Sequence, residues 1–282
     1  MLMALHPFVL EFPVQLSANV WIQASRRRRN LRHLALLLNV VLDATITEQN
    51  SDGHHVWALV ERDERPIPAP EWCQEGYWFD GMIGQSDHFS RPEDTAAIAI
   101  VETERYFERW GYTGEPLEVP AILDTALAAF YALNADARAT FLRAAFWYRH
   151  ASLAARFARS AAFIALISSL EALLPDPPAA TNCETCGQNV QPSISTRFIA
   201  MLDTLAPGGG QTEVDRRKLY AIRSKLAHGS SLLRSDEDAS NYLHPEQSRE
   251  WNETGFAYRV TRIALMNWLL AQQTRGVVRA AT

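Results

Sequence analysis

Tyr220-Ala221-Ile222-Arg223-Ser224-Lys225-Leu226-Ala227-His228-Gly229 reads as the end of an amphipathic helix and the residue that stops it. Leu219, Ile222 and Leu226 recur at helical spacing and predict the buried stripe. Gly229 stands where a helix needs a left-handed residue to finish. Upstream, Thr212 is suited to cap the start, and Glu213 and Asp215 fall in the first turn, where the helix dipole favours acids. Arg216-Arg217-Lys218 adds a basic cluster to the same helix.

Working outward, the chain around this helix reads as helical. Pro120 is placed for a helix start, and Ile122, Ala126, Ala129, Phe130 and Leu133 form an apolar stripe. A long helical stretch begins at Asn134 or Asp136 and runs to Leu174, where Pro175 stops it, with a break expected near His150 to Ser152. Ser193 to Leu205 is predicted helical from Ile194, Phe198 and Leu202. A last helix is predicted from Thr254 to Gln272, with Phe256, Val260, Ile263, Asn267 and Leu270 on its inner face.

The first part of the chain reads differently. Leu34 to Val41 is an apolar run of strand length, and Val56 to Val60 is a second. Asn50-Ser51-Asp52-Gly53 between them suits a hairpin turn. Arg65 to Pro92 reads as an ordered loop region rich in proline, glycine and aromatics. Ala96 to Val101 is either a strand or the start of a helix carrying Tyr106, Phe107 and Trp110. The expected fold class is α+β overall: an N-terminal mixed α/β region over residues 1–115, then a mainly α helical bundle over 116–282.

The chain has 282 residues, 48% of them hydrophobic and 21% charged, enough to bury a core. Net charge is -5, so any attraction to nucleic acid must come from local patches. Three cysteines are too few for a disulfide framework. The longest apolar runs fall short of the roughly 20 residues a membrane span needs. Met1 to Phe12 lacks the basic leader of a secretory signal. These readings predict a cytoplasmic protein with no membrane contact.

Two residues of the opening stretch carry chemistry. Histidine titrates near neutrality and can accept or give a proton. Arginine offers a planar fork of donors suited to phosphate oxygens. Arg223 and His228 are therefore candidate catalytic residues for metal-independent RNA cleavage. Five residues along a helix turn it by about 140° and advance it by roughly 7.5 Å. The two side chains converge on one phosphate more easily if His228 sits at a frayed helix end or if a second chain contributes.

The plainer reading is that His228 caps the helix and Arg223 pairs with an acid such as Glu171. Glu171 interrupts an apolar helix end and calls for a partner, for which Arg197 and Arg223 are the candidates. Ser224, Lys225, Arg216, Arg217 and Lys218 are candidate RNA-binding residues, and Glu171 and Tyr220 are candidate supporting residues. Cys183 and Cys186 have the spacing of half a zinc site but lack two further ligands nearby, so no metal and no cofactor is expected. Arg26 to Arg29, with Arg32 and His33, read as a solvated basic loop before the strand at Leu34, with RNA phosphates or an anionic surface as the other reading.

Ser168 to Leu174 (SSLEALL) and Ile222 to Gly229 (IRSKLAHG), with the helices at Ser193 and Arg262 in the same order, resemble the HEPN superfamily, and within it the Apea-like HEPN group. The resemblance covers roughly Ala121 to Gln272. It implies a helical bundle, a homodimer, and an endoribonuclease site composed from the R-x4-H motifs of two copies. It also implies roles in antiviral defence or toxin–antitoxin systems, in which a regulatory partner protein is possible. Active members commonly carry Asn, Asp or His after the arginine, where this chain has Ser224. Other members are non-catalytic modules that bind RNA or protein or serve in dimerisation, which is the alternative reading here.

Overall fold

The computed structural model describes residues 17–44, 46, 98–108, 117–182, 189–208, 211–237 and 245–280. The expected hairpin at Asn50–Gly53, the strand at Val56–Val60, the loop region from Arg65 to Pro92, and Trp110, Cys183 and Cys186 lie outside the described residues.

The described residues are mostly helical. In order they are α1 (Val20–Val41), β1 (Ile98–Val101), α2 (Thr103–Phe107), β2 (Leu117–Pro120), α3 (Leu123–Ala132), α4 (Ala135–Ala154) and α5 (Arg159–Glu171). There follow β3 (Thr181–Asn182), β4 (Asn189–Val190), α6 (Ile194–Leu205), α7 (Gln211–Ala227), α8 (Arg234–Glu237) and α9 (Pro245–Ala280). The chain divides into two units: Met1–Ala35 with Ile46–Ala121, and Leu36–Thr45 with Ile122–Thr282.

In the first unit, β1 and β2 pair in parallel, with Ile98 opposite Leu117 and Val101 opposite Pro120. The first half of α1 also belongs here. Asn19 starts that helix by accepting from the backbone N–H of Trp21 (2.9 Å) and Ile22 (3.3 Å).

The strand expected at Leu34–Val41 is instead the buried end of α1. Leu34 to Leu38, Val40 and Val41 are all apolar and buried, with only Asn39 between them, so they carry neither the period of a strand nor that of a helix. The arginines before them continue the same helix, which makes the basic segment helical and not a loop.

The second unit is a bundle around α5. Phe163, Leu166, Ile167 and Leu170 are fully buried, as are Phe141 and Ala144 of α4 and Ala264, Leu265 and Leu269 of α9. Each such large side chain contributes about 1.5–3 kcal/mol by leaving water. Alanines at 144, 145, 151, 162 and 165 let α4 and α5 pack closely, and the buried Ser169 hydroxyl donates to the Ala144 carbonyl at 2.7 Å.

The break in the long helical stretch falls at Ala155–Ala158, later than expected. Ala158 has no side-chain oxygen to cap α5. Asp236 supplies it, accepting from the N–H groups of Arg159 (2.8 Å) and Ser160 (2.6 Å). Phe157, although apolar and within the stretch expected to be helical, is 81% exposed in this connection.

Two further expectations shift. α7 already includes Thr212, so the helix starts before the expected cap. α9 is longer than expected and turns Ala257, Thr261, Ala264 and Leu265 inward along with Val260, leaving Ile263 and Asn267 exposed. Asn267 uses its amide to donate to the Leu205 carbonyl at the end of α6 (2.8 Å).

Candidate functional site

The C-terminal end of α7 is built as its sequence requires. Gly229 has φ +66°, in the left-handed region, and an added Cβ would meet nothing within 4 Å. The N–H of Ser230 donates to the Lys225 carbonyl and that of Gly229 to the Leu226 carbonyl, both at 3.1 Å. This pair of bonds is the Schellman closure of a helix. The Ser230 hydroxyl adds a second bond to the Lys225 carbonyl at 2.9 Å. His228 is the last residue before the glycine. Its N–H donates to the Ser224 carbonyl at 3.1 Å, and the residue is exposed. Among the described residues, no hydrogen bond or ion pair engages the His228 ring.

One turn earlier the environment is different. Leu219 and Leu226 are buried and Ile222 is half-buried, which sets α7 against the bundle and brings Arg223 to the end of α5. There the Arg223 Nη2 donates to Glu171 Oε2 at 3.0 Å, with the side chains 27% and 22% exposed. Glu171 is the last residue of α5, where the negative end of the helix dipole disfavours a carboxylate, so a cation there relieves it. Of the two arginines named as its partners, Arg223 holds it. Arg197 instead donates to the Pro175 carbonyl.

Tyr220 completes the group. The Arg223 guanidinium carbon lies 6.0 Å from the centre of its ring, and the Phe198 ring packs against the Tyr220 ring with 5.3 Å between centroids. Burial, and then the charge on Glu171, push the Tyr220 hydroxyl above its usual range, while Arg223 pulls it down. The Arg223 Nε is buried with no hydrogen-bond partner, so the guanidinium is held mainly through Nη2.

The cations upstream divide. Arg216 is 3% exposed, and its guanidinium donates to Asp203 and to the Ala206 carbonyl, closing the end of α6. It faces the protein and not a ligand. Asp203 lies 13 residues away, and nothing in the sequence marked it as a partner. Lys218 pairs with Glu253 of α9, and Arg217 is exposed. Lys225 is exposed and Ser224 half-buried.

The structure therefore brings Glu171, Tyr220 and Arg223 together, with Phe198 as the neighbour that sequence reading missed. It leaves His228 apart on the exposed helix end. No group of three or more metal-ligating side chains occurs among the described residues. No helix among them is long and apolar enough to cross a membrane.

Comparison with family models, with curated proteins and with solved structures finds no match.

Proposed function

We propose that the second unit is a metal-independent endoribonuclease in which Arg223 and His228 act on one phosphate, with the site completed by a second copy of the chain. The observation that carries this reading is the end of α7. A histidine stands exposed beside the helix stop, and one turn back an arginine is oriented from behind by Glu171 while keeping about a quarter of its surface exposed. The resemblance of Ser168–Leu174 and Ile222–Gly229 to Apea-like HEPN proteins supports the same roles.

In the reaction, the RNA 2′-hydroxyl attacks the adjacent phosphorus and the bond to the 5′ oxygen breaks. His228 takes the 2′ proton or returns one to the departing oxygen. Arg223 stabilises the charge gathering on the phosphate oxygens. Products are a 2′,3′-cyclic phosphate and a 5′-hydroxyl, and DNA, lacking the 2′-hydroxyl, is resistant.

The Glu171–Arg223 bridge itself favours a second reading. A carboxylate 3.0 Å away neutralises the arginine, which suits a module that binds RNA or protein without cleaving it. Mixed RNA incubated with the protein in EDTA separates the two. Cleavage to cyclic-phosphate ends, lowered at least about 100-fold in His228→Ala and in Arg223→Ala, is the expected result. Cleavage that survives in His228→Ala refutes the assignment. Intact RNA that is nevertheless retained in a salt-dependent way selects the binding module.

A further inference from the structure

We propose that the exposed half of α1 is a docking face for single-stranded RNA. Residues 20–30 precede the buried end of the helix and carry four consecutive arginines, Arg26 to Arg29, with Arg32 one turn on. The whole of α1 contains no acidic residue, so its charge is not offset along its own length. Against a net charge of -5 for the chain, this is a local reversal of sign.

The helical arrangement decides what the charge can do. At 3.6 residues per turn, Trp21, Ser25, Arg28 and Arg32 fall on one row, and Ile22, Arg26 and Arg29 on the adjacent one. A loop would have scattered these residues, whereas the helix places them on one side over roughly 16 Å. A shallow, open hollow of about 470 Å³ lies against the start of this helix, touched by Asn19, Trp21, Ile22, Ser25, Arg26 and Arg29. Trp21 is 84% exposed at its rim. Arg26, Arg28 and Arg32 also make contacts within the protein, but a guanidinium carries five donors, so one contact does not exhaust it.

A row of arginines supplies forks for successive phosphates, and an exposed tryptophan supplies a plane on which a base stacks. Single-stranded RNA presents both groups together, whereas the bases of a duplex are already stacked on each other. A membrane surface fits less well. Interfacial helices bury a broad apolar face in lipid, and among the described side chains of the exposed half the large exposed apolar ones are Trp21 and Ile22, while Leu34 to Val41 are buried in the protein. The inference does not depend on cleavage: the face holds RNA whether or not Arg223 and His228 cut it.

The test uses the full chain carrying His228→Ala, so that the RNA stays intact, and a fluorescent oligouridylate read by anisotropy. With about four phosphate contacts, affinity falls roughly 50-fold between about 50 and about 200 mM salt. Adding Trp21→Ala weakens binding at least about fivefold and leaves the salt slope unchanged, because it removes stacking and no charge. Adding Arg28→Gln, Arg29→Gln and Arg32→Gln together flattens the slope by about 2. Circular dichroism checks that α1 persists, and Trp21→Ala, at an exposed position, keeps the test valid if the triple variant unfolds. Binding unchanged in both variants overturns the proposal. So does a parent protein that ignores RNA, including one that binds vesicles of phosphatidylserine instead. Loss of cleavage in wild-type protein with retained α1-dependent binding separates failure of the nuclease reading from failure of this one.

Discussion

Glu171→Gln and Arg223→Gln, made singly and together, measure what the bridge between α5 and α7 contributes. At 3.0 Å two unit charges attract by about 1.4 kcal/mol in a waterlike dielectric and by about 5.5 kcal/mol at an effective dielectric of 20. Both side chains are about a quarter exposed, so the pair lies between a surface bridge and a buried one. Desolvation of the two groups and the ordering of a long arginine oppose the attraction. We expect a coupling of about 1–2 kcal/mol from the double-mutant cycle in urea unfolding. Each single change costs about the same, because Arg223→Gln leaves Glu171 at the unfavourable end of α5 and Glu171→Gln leaves Arg223 half-buried without its anion. Neither change alters the unfolding slope, since the surface exposed on unfolding stays the same. A coupling below about 0.3 kcal/mol refutes the view that this contact positions Arg223. The same Glu171→Gln protein reads out function: an arginine that needs its carboxylate for orientation loses about 100-fold in cleavage. An arginine that is merely neutralised binds RNA more tightly once the carboxylate is gone.

Other consequences can be checked on the same samples. Gly229→Ala costs about 1 kcal/mol in urea unfolding, from backbone strain alone, because φ is +66° and the space around the new Cβ is empty; no change in stability refutes the left-handed closure. Stability falls in alkali. Burial pushes the Tyr258 hydroxyl up to about 12 and raises that of Tyr148, which also donates to Asp43 at 2.7 Å. An unfolded tyrosine ionises near pH 10, so the contribution is complete below that pH and is lost as pH climbs toward 12, by on the order of 2 kcal/mol for Tyr258. Chemical unfolding at pH 9 to 12 shows this fall, and Tyr258→Phe flattens it.

The bundle was legible where apolar residues recur on one face only. Ile122 to Leu133, Ile194 to Leu202 and Leu219 to Leu226 each show one stripe, and each is a helix. Legibility failed where that contrast is missing. Leu34 to Val41 is apolar on every side, so length alone suggested a strand, and the assignment then turned four arginines into a loop. Around Phe157 the composition stays helical through the true break. The break is made by Asp236, some 77 residues away, and local sequence does not contain that contact. The site follows the same division. Gly229 and the helix stop are local and were readable. That Glu171 needed a cation was readable from its apolar setting, but the choice of Arg223 over Arg197 is a matter of packing. Arg216 looked like its neighbours Arg217 and Lys218 and is instead buried on Asp203.

Arg223 and His228 stand in opposite electrostatic situations on one helix, and this bears on how a site would assemble. His228 lies exposed at the C-terminal end of α7, and among the described residues no acid engages its ring. Arg223 already has one anion, Glu171, and a buried Nε that bonds to nothing. A phosphate approaching this arginine competes with a carboxylate that is fixed in place, so binding through Arg223 alone is weak. It gains strength when other cations hold the same strand. Within the second unit, Arg216 is spent on Asp203 and Lys218 on Glu253. Among the described residues, the longest run of consecutive arginines is on α1, with Arg27 to Arg29 exposed. The two proposals therefore call for separate tests: affinity for RNA at the α1 arginines, and chemistry at the end of α7, where Lys225 is also exposed. On that basis, Arg28, Arg29 and Arg32 changed to Gln raise KM for long RNA and leave kcat near its original value, whereas His228→Ala lowers kcat and leaves RNA affinity intact. The reverse pattern, with kcat carried by the α1 arginines, contradicts this separation.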